Sequence, residues 1–212
     1  MKTHKVHKLP TPFRLPYITA IIAIIISHLL INTQPAKASC QPTPQTTKGP
    51  YYQPSSKLQN IAIGQKGQKI TIRLSIKDKN CKPVKGAKVS IWHADSQGNY
   101  TFQAENKNVP LRGYQISDSK GKVQFNSILP SWYPGRATHI HILVEHQNNS
   151  YSTQYFFPQK YLDKIYKTHT YKLKGLEATP KSKDLIYITL PNPTALDLTQ
   201  QNNNFRANFY LP

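Results

Sequence analysis

Along residues 70–77 the chain alternates without a break: Ile70, Ile72, Leu74 and Ile76 are apolar, and Thr71, Arg73, Ser75 and Lys77 are polar. A period of two with one apolar face predicts a half-buried strand. Weaker versions of the pattern predict strands over residues 87–94, 122–128, 138–144, 152–157 and 185–190. Turn formers stand between them, notably Asp95-Ser96-Gln97-Gly98-Asn99, Asp118-Ser119-Lys120-Gly121 and Pro191-Asn192-Pro193. Short strands punctuated in this way predict an all-β fold, a single β-sandwich of mostly antiparallel strands with long loops. Residues 159–174 have room for a short helix, and residues 200–204 read as a loop.

The N-terminal stretch follows a different logic. Lys2, Lys5, Lys8 and Arg14 precede an apolar run over residues 18–31, which ends before the small-x-small sequence Ala36-Lys37-Ala38. This predicts a signal peptide over residues 1–38, cleaved after Ala38. The run falls short of the ~20 residues a comfortable span needs and is interrupted by Ser27 and His28, so no stable membrane span is expected after cleavage. The expected location is exported, periplasmic or extracellular in a bacterium. Residues 39–48, rich in Pro, Thr and Gln, read as a flexible N-terminal segment, and residues 49–212 as one domain.

Cys40 and Cys81 are the two cysteines of the chain, and in an oxidising compartment they predict one disulfide. Lipidation of Cys40 is the competing reading, weakened by Lys37 where lipoprotein signals carry an apolar residue. The formal charge of +19 falls to +14 once the five cations of the export segment are removed. The lysines are scattered singly, as at Lys57, Lys66, Lys69, Lys77 and Lys79, which describes a solvated basic surface and not a nucleic-acid interface.

Chemistry concentrates in Thr138-His139-Ile140-His141-Ile142-Leu143-Val144. In a strand, His139 and His141 share one face, and Ile140, Ile142 and Val144 share the other. Two imidazoles aimed at one place are either solvated on an exposed face or bound to a metal. Met1 is the single methionine, and neither cysteine is free if the disulfide forms, which excludes a blue-copper set. Glu145 shares the parity of the two histidines but lies further along the strand, and a zinc site recruiting His93 or His146 stays open. Tyr133, in Ser131-Trp132-Tyr133-Pro134-Gly135-Arg136, sits in a Pro/Gly turn just before the histidine strand, so a phenolate ligand is within reach.

Taken in order, Leu111-Arg112-Gly113-Tyr114, the stretch from Asp118 to Phe125, Pro130-Ser131-Trp132-Tyr133-Pro134-Gly135-Arg136 and His139-Ile140-His141 resemble the core of the intradiol ring-cleavage dioxygenases, closest to their protocatechuate 3,4-dioxygenase-like and secreted branches. Upstream, Val89 through Tyr100 is similar to the family's other ligand segment, a strand whose following turn ends in Tyr. The resemblance implies a non-haem Fe(III) held by Tyr100, Tyr133, His139 and His141, with Tyr100 and His139 equatorial and Tyr133 and His141 axial. It implies that Arg136 and Gln154 stand beside a catechol-type substrate, which dioxygen cleaves to a muconate-type product as Tyr133 leaves the metal. Lys48 stands where the family often has an acid, and the long helical dimerisation region of catechol 1,2-dioxygenases is not seen, so dimerisation of that type is not expected. Two further readings stay open: a non-catalytic, transthyretin-like binding module in which the tyrosines only pack, and an envelope copper- or zinc-binding protein using His139, His141 and another His.

Overall fold

The computed structural model describes residues 40–102 and 109–212; the predicted export segment, residues 1–38, lies outside them. The first strand, β1 (Lys69–Lys77), keeps the predicted alternation, with Ile70, Ile72, Leu74 and Ile76 buried. It pairs antiparallel with β4 (Lys122–Ile128) and parallel with β8 (Asn204–Tyr210), so Ile72 stands between Phe125 and Phe205. The short β7 (Thr199–Gln201) completes this sheet beyond β8. The second sheet is antiparallel throughout, in the order β3 (Arg112–Ile116), β2 (Lys88–Trp92), β5 (His139–His146) and β6 (Asn149–Phe156). Ile72, Leu74, Phe125 and Phe205 of the first sheet share one core with Val89, Ile91, Ile140, Ile142 and Val144 of the second. Each such side chain contributes about 1.5–3 kcal/mol by leaving water. The result is the expected β-sandwich, with the β1/β8 pair as its parallel exception.

Three elements depart from the sequence reading. Residues 185–190, expected as a strand, contain the short helix Leu185–Ile188. The Asp184 side chain accepts the backbone N–H groups of Ile186 and Tyr187, a cap that starts a helix, and the Leu185 and Ile188 side chains face solvent. Residues 200–204 are not a loop but the tip of the β7/β8 hairpin, which turns at Asn202 in a left-handed conformation (φ 54°). The region 159–174 holds two helices, Gln159–Ile165 and His169–Lys172, which bury Tyr161, Leu162, Ile165 and Tyr171 against the sandwich.

Residues 40–48 have no regular secondary structure, yet they are tied down and not flexible as their composition suggested. Cys40 is joined to Cys81 in the disulfide expected from the cysteine count, which leaves no thiol for lipidation. Thr43 N–H donates to the Tyr210 carbonyl (3.0 Å), Thr46 N–H to the Ser152 carbonyl (2.9 Å), and the Thr153 hydroxyl to the Pro44 carbonyl (2.7 Å). Pro-rich sequence cannot build a ladder, but its carbonyls can still accept from a neighbouring strand. The segment is a strap along β6 that ends at Gly49, beside the histidines of β5. Among the described residues no helix is long and apolar enough to cross a membrane.

Candidate metal centre

The register of the second sheet aligns Arg112 with Trp92, Trp92 with His141, and His141 with Gln154. Residues opposite one another across a ladder point to the same face, so these four form one row across all four strands. His139 joins them from two positions along β5, while Ile140, Ile142 and Val144 point the other way into the core. The face is not solvated: His139 and His141 are 3 % and 2 % exposed. Gly49 lies so near that a Cβ there would meet the His141 ring at 3.3 Å.

Loops bring the phenols. Tyr133 and Arg136 close a tight turn over Pro134 and Gly135, with Arg136 N–H donating to the Tyr133 carbonyl (3.0 Å) and Gly135 left-handed (φ 79°). Tyr100 follows the turn 95–99, which the Asp95 carboxylate ties by accepting from Gln97 and Asn99 N–H. The hydroxyl of Tyr133 lies 3.4 Å from His139 Nε2, and that nitrogen lies 3.1 Å from His141 Nε2. The Tyr100 ring is 5.9 Å from that of Tyr133 and 6.3 Å from that of His141, centre to centre. All four side chains singled out from the sequence therefore converge. The Tyr100 hydroxyl is buried and makes no hydrogen bond of good geometry, its near polar neighbour being the Tyr133 side chain.

Protonation follows from the surroundings. His139 Nδ1 sits 2.6 Å from the Ala137 carbonyl, which can only accept, so the proton is on Nδ1 and Nε2 offers a lone pair to the centre. His141 stacks on Trp92 at 4.9 Å with the rings 10° from parallel, which fixes its plane. Burial, reinforced by Arg136 at His139 and by His139 at His141, holds both imidazoles well below their ordinary range and therefore neutral. Burial likewise raises the Tyr100 phenol, with Tyr133 adding to the effect, and raises Tyr133, where the Arg136 charge opposes it. The centre holds the lone pair of His139 Nε2, the neutral imidazole of His141 beside it and two phenols that burial keeps protonated.

Arg136 and Gln154 are at the centre as well. Arg136 Nη1 donates to the Tyr133 hydroxyl (3.4 Å) and Nη2 to Gln154 Oε1, while Gln154 Nε2 donates to the Thr47 carbonyl of the strap (3.3 Å). His93, one alternative ligand, faces the opposite side of β2, where its nitrogens meet the Ala94 carbonyl and the Ser127 hydroxyl. His146, the other, is at the far end of β5. Among the described residues no three His, Cys, Asp or Glu side chains are grouped to share an ion.

Three contributors had no role in the sequence reading. Tyr51 stacks on Tyr100 (4.1 Å, 9°) and meets Tyr133 edge-on, covering the centre from the strap side. Arg112, 2 % exposed, donates to the Tyr51 carbonyl (3.2 Å) and the Thr101 carbonyl (3.0 Å), clamping the two segments that carry the stacked rings. Asp184 holds Arg136 (2.9 Å) from the C-terminal region. Lys48, the departure noted above, lies over the Tyr52 ring, which in turn packs edge-on against Trp92.

A family model described as dioxygenase matches residues 47–152, which include all four converging side chains. The chain is similar to a catechol 1,2-dioxygenase of Pseudomonas sp. (32 % identity, 43 % of this chain and 32 % of the relative). It is also similar to a protocatechuate 3,4-dioxygenase beta chain of Burkholderia cepacia (27 %, 43 % and 46 %). It thus spans less than half the length of these curated relatives. An intradiol ring-cleavage dioxygenase structure from Tetranychus urticae superposes with a TM-score of 0.72 at 26 % identity, over 81 % of this chain and 94 % of that one. With the matched segment taking in half of the chain, and with the sandwich and the Tyr, Tyr, His-x-His order both in place, this protein belongs to the intradiol ring-cleavage dioxygenase family.

Proposed function

We propose that the protein cleaves a catechol-type ring between its two hydroxylated carbons, using ferric iron, and places both atoms of dioxygen in a muconate-type product. The observation that carries this reading is the convergence of Tyr100, Tyr133, His139 and His141 in one centre. The donor set fits the metal: a hard trivalent ion prefers anionic oxygen, and a cation among the four offsets the burial that keeps the phenols protonated. A zinc or copper site built on three histidines finds no support, because His93 is turned away with both ring nitrogens engaged.

A ferric ion held by the two phenolate oxygens and the two imidazole nitrogens would supply Lewis acidity toward an ionised catechol and accept electron density from it. The protein's own residues do the rest. The oxygen of Tyr133 stands beside Arg136, placed to take the proton of an incoming catechol hydroxyl. Arg136 then faces the negative charge that collects on the ring, a preorganised electrostatic contact in a poorly solvated place. Gln154, held by Arg136 and by Thr47, offers a second polar wall. Tyr51, Trp92 and the strap exclude water, which strengthens each of these contacts. The reading includes export of the chain from residue 39 onward, supported by the disulfide, a bond characteristic of oxidising compartments.

Incubation of the iron-loaded protein with catechol under isotopically labelled dioxygen tests the reaction. The expected product is a muconate carrying both labelled oxygens. A yellow semialdehyde would exclude cleavage between the hydroxyls, and a muconate with label in only one position would exclude incorporation of both atoms of dioxygen.

A further inference from the structure

Asp184 lies outside the segment matched by the family model and 48 residues from Arg136 in sequence, yet it is fully buried against it. Its two carboxylate oxygens are committed in different directions. Oδ2 accepts from Arg136 Nε (2.9 Å) and from Ala137 N–H (2.8 Å). Oδ1 accepts from the N–H groups of Ile186 (2.9 Å) and Tyr187 (3.4 Å), starting the helix Leu185–Ile188. With Nε occupied, the guanidinium has one orientation left, in which Nη1 reaches Tyr133 and Nη2 reaches Gln154. Ala137, held at its N–H by Asp184, presents its carbonyl to His139 Nδ1.

We infer that Asp184 is a positioning residue for the reaction: by fixing the Nε edge of Arg136 and the backbone of Ala137 it aims the arginine at Tyr133 and the substrate, and steadies His139. The catalytic half of this inference rests on the function proposed above. A carboxylate suits the task because both its oxygens accept, whereas the isosteric amide must turn its NH2 toward one pair of donors. Asp184→Asn thus sacrifices either the helix start or the hold on Arg136, and in both orientations removes the charge opposite the guanidinium. A buried charge pair missing one member leaves the other uncompensated, so the arginine is free to seek other acceptors.

The test is a double-mutant cycle on the full iron-loaded chain, with Asp184→Asn, Arg136→Gln and the double variant assayed for kcat and KM on catechol, beside the side-chain Nε–H NMR signal of Arg136 in the full metal-free chain, where no paramagnetic ion broadens it. Asp184→Asn is expected to lower kcat about tenfold or more with little change in KM, yet by less than about twofold when Arg136 is already Gln. The Arg136 Nε–H is expected to exchange slowly in the unaltered protein, far more slowly than that of the exposed Arg206, and to lose protection in Asp184→Asn. Equal kcat losses in both backgrounds would overturn the inference, since Asp184 would then act on the fold and not through Arg136. An unaffected kcat, or an Arg136 Nε–H as labile as that of Arg206 in the unaltered protein, would overturn it too. If the unaltered protein cleaves no catechol, the proposed function falls while the NMR arm still decides whether Asp184 holds Arg136.

Discussion

Replacing Gly98 by alanine drives apart the two loops that bring the phenols together. Gly98 is left-handed (φ 84°), two residues before Tyr100, and faces the backbone of Trp132, one residue before Tyr133. A Cβ at this position would come inside 3.0 Å of the Trp132 carbonyl oxygen and within 3.2 Å of its carbon, and backbone atoms cannot swing aside as a side chain can. Relief requires the Tyr100 and Tyr133 segments to separate by about 1 Å, a displacement that can cost ~100-fold in a preorganised site. The left-handed backbone adds roughly 1–2 kcal/mol of strain for any residue with a Cβ. Gly86→Ala isolates that second part, because Gly86 has nearly the same φ (82°) and open space where its Cβ would go. Thermal unfolding should show Gly86→Ala melting about 2–8 °C lower, taking ~2–4 °C per kcal/mol for a chain of this size, and Gly98→Ala lower still because the clash adds to the strain. Ferric-iron uptake and catechol turnover should stay normal in Gly86→Ala and fall on the order of 100-fold in Gly98→Ala. Gly98→Ala with normal iron uptake and turnover would refute the placement of the two phenols relative to one another.

Arg112→Met removes a buried cation together with its bonds to the Tyr51 and Thr101 carbonyls; stability should change by no more than about 1–3 kcal/mol, while turnover should fall at least tenfold as the stacked rings loosen, as paired unfolding and kinetic measurements would show. Burial lowers His93 from 6.5 to about 4. The unfolded chain therefore binds this proton first, so stability is intact above pH 6.5 and declines as the pH falls toward 4, by at most ~1.4 kcal/mol per unit from this residue; denaturant unfolding between pH 7 and 4 should show a shallower decline in His93→Gln. Cys81→Ser opens a loop of 41 residues and should cost up to roughly 4 kcal/mol, read as a lower denaturation midpoint, with the strap over β6 becoming susceptible to protease.

Much of the sandwich is legible because its signal is local. The alternation of Ile70 to Ile76 and the His-x-His parity of β5 depend only on the two-residue repeat of a strand, and both are found in the fold. The β8 strand carried the same signal in Phe205, Ala207 and Phe209 set against Asn204, Arg206 and Asn208, and could have been read. Residues 185–190 read as a strand yet contain a helix because apolarity alone cannot separate a strand from a capped helical turn, and the decisive residue, Asp184, lies one step outside the apolar run. The four converging side chains were named from family order, not from geometry: nothing in the spacing of Tyr100 and His141 says that their rings approach. The contacts of Arg112, which stands in one of the resembling motifs, and of Asp184 are not legible for a related reason. Their partners, Tyr51 and Arg136, are 61 and 48 residues away, brought close only when the strap and the C-terminal region close over the sheet.

The proposed function requires two phenolic oxygens and two imidazole nitrogens to bind one ferric ion. Titration of ferric iron into the purified, metal-free chain, followed in the visible spectrum, tests it directly. The expected result is an intense reddish tyrosinate charge-transfer band that saturates at about one equivalent and weakens and shifts in Tyr133→Phe. A protein that stays colourless and retains no iron, or a band that Tyr133→Phe leaves unchanged, would contradict it.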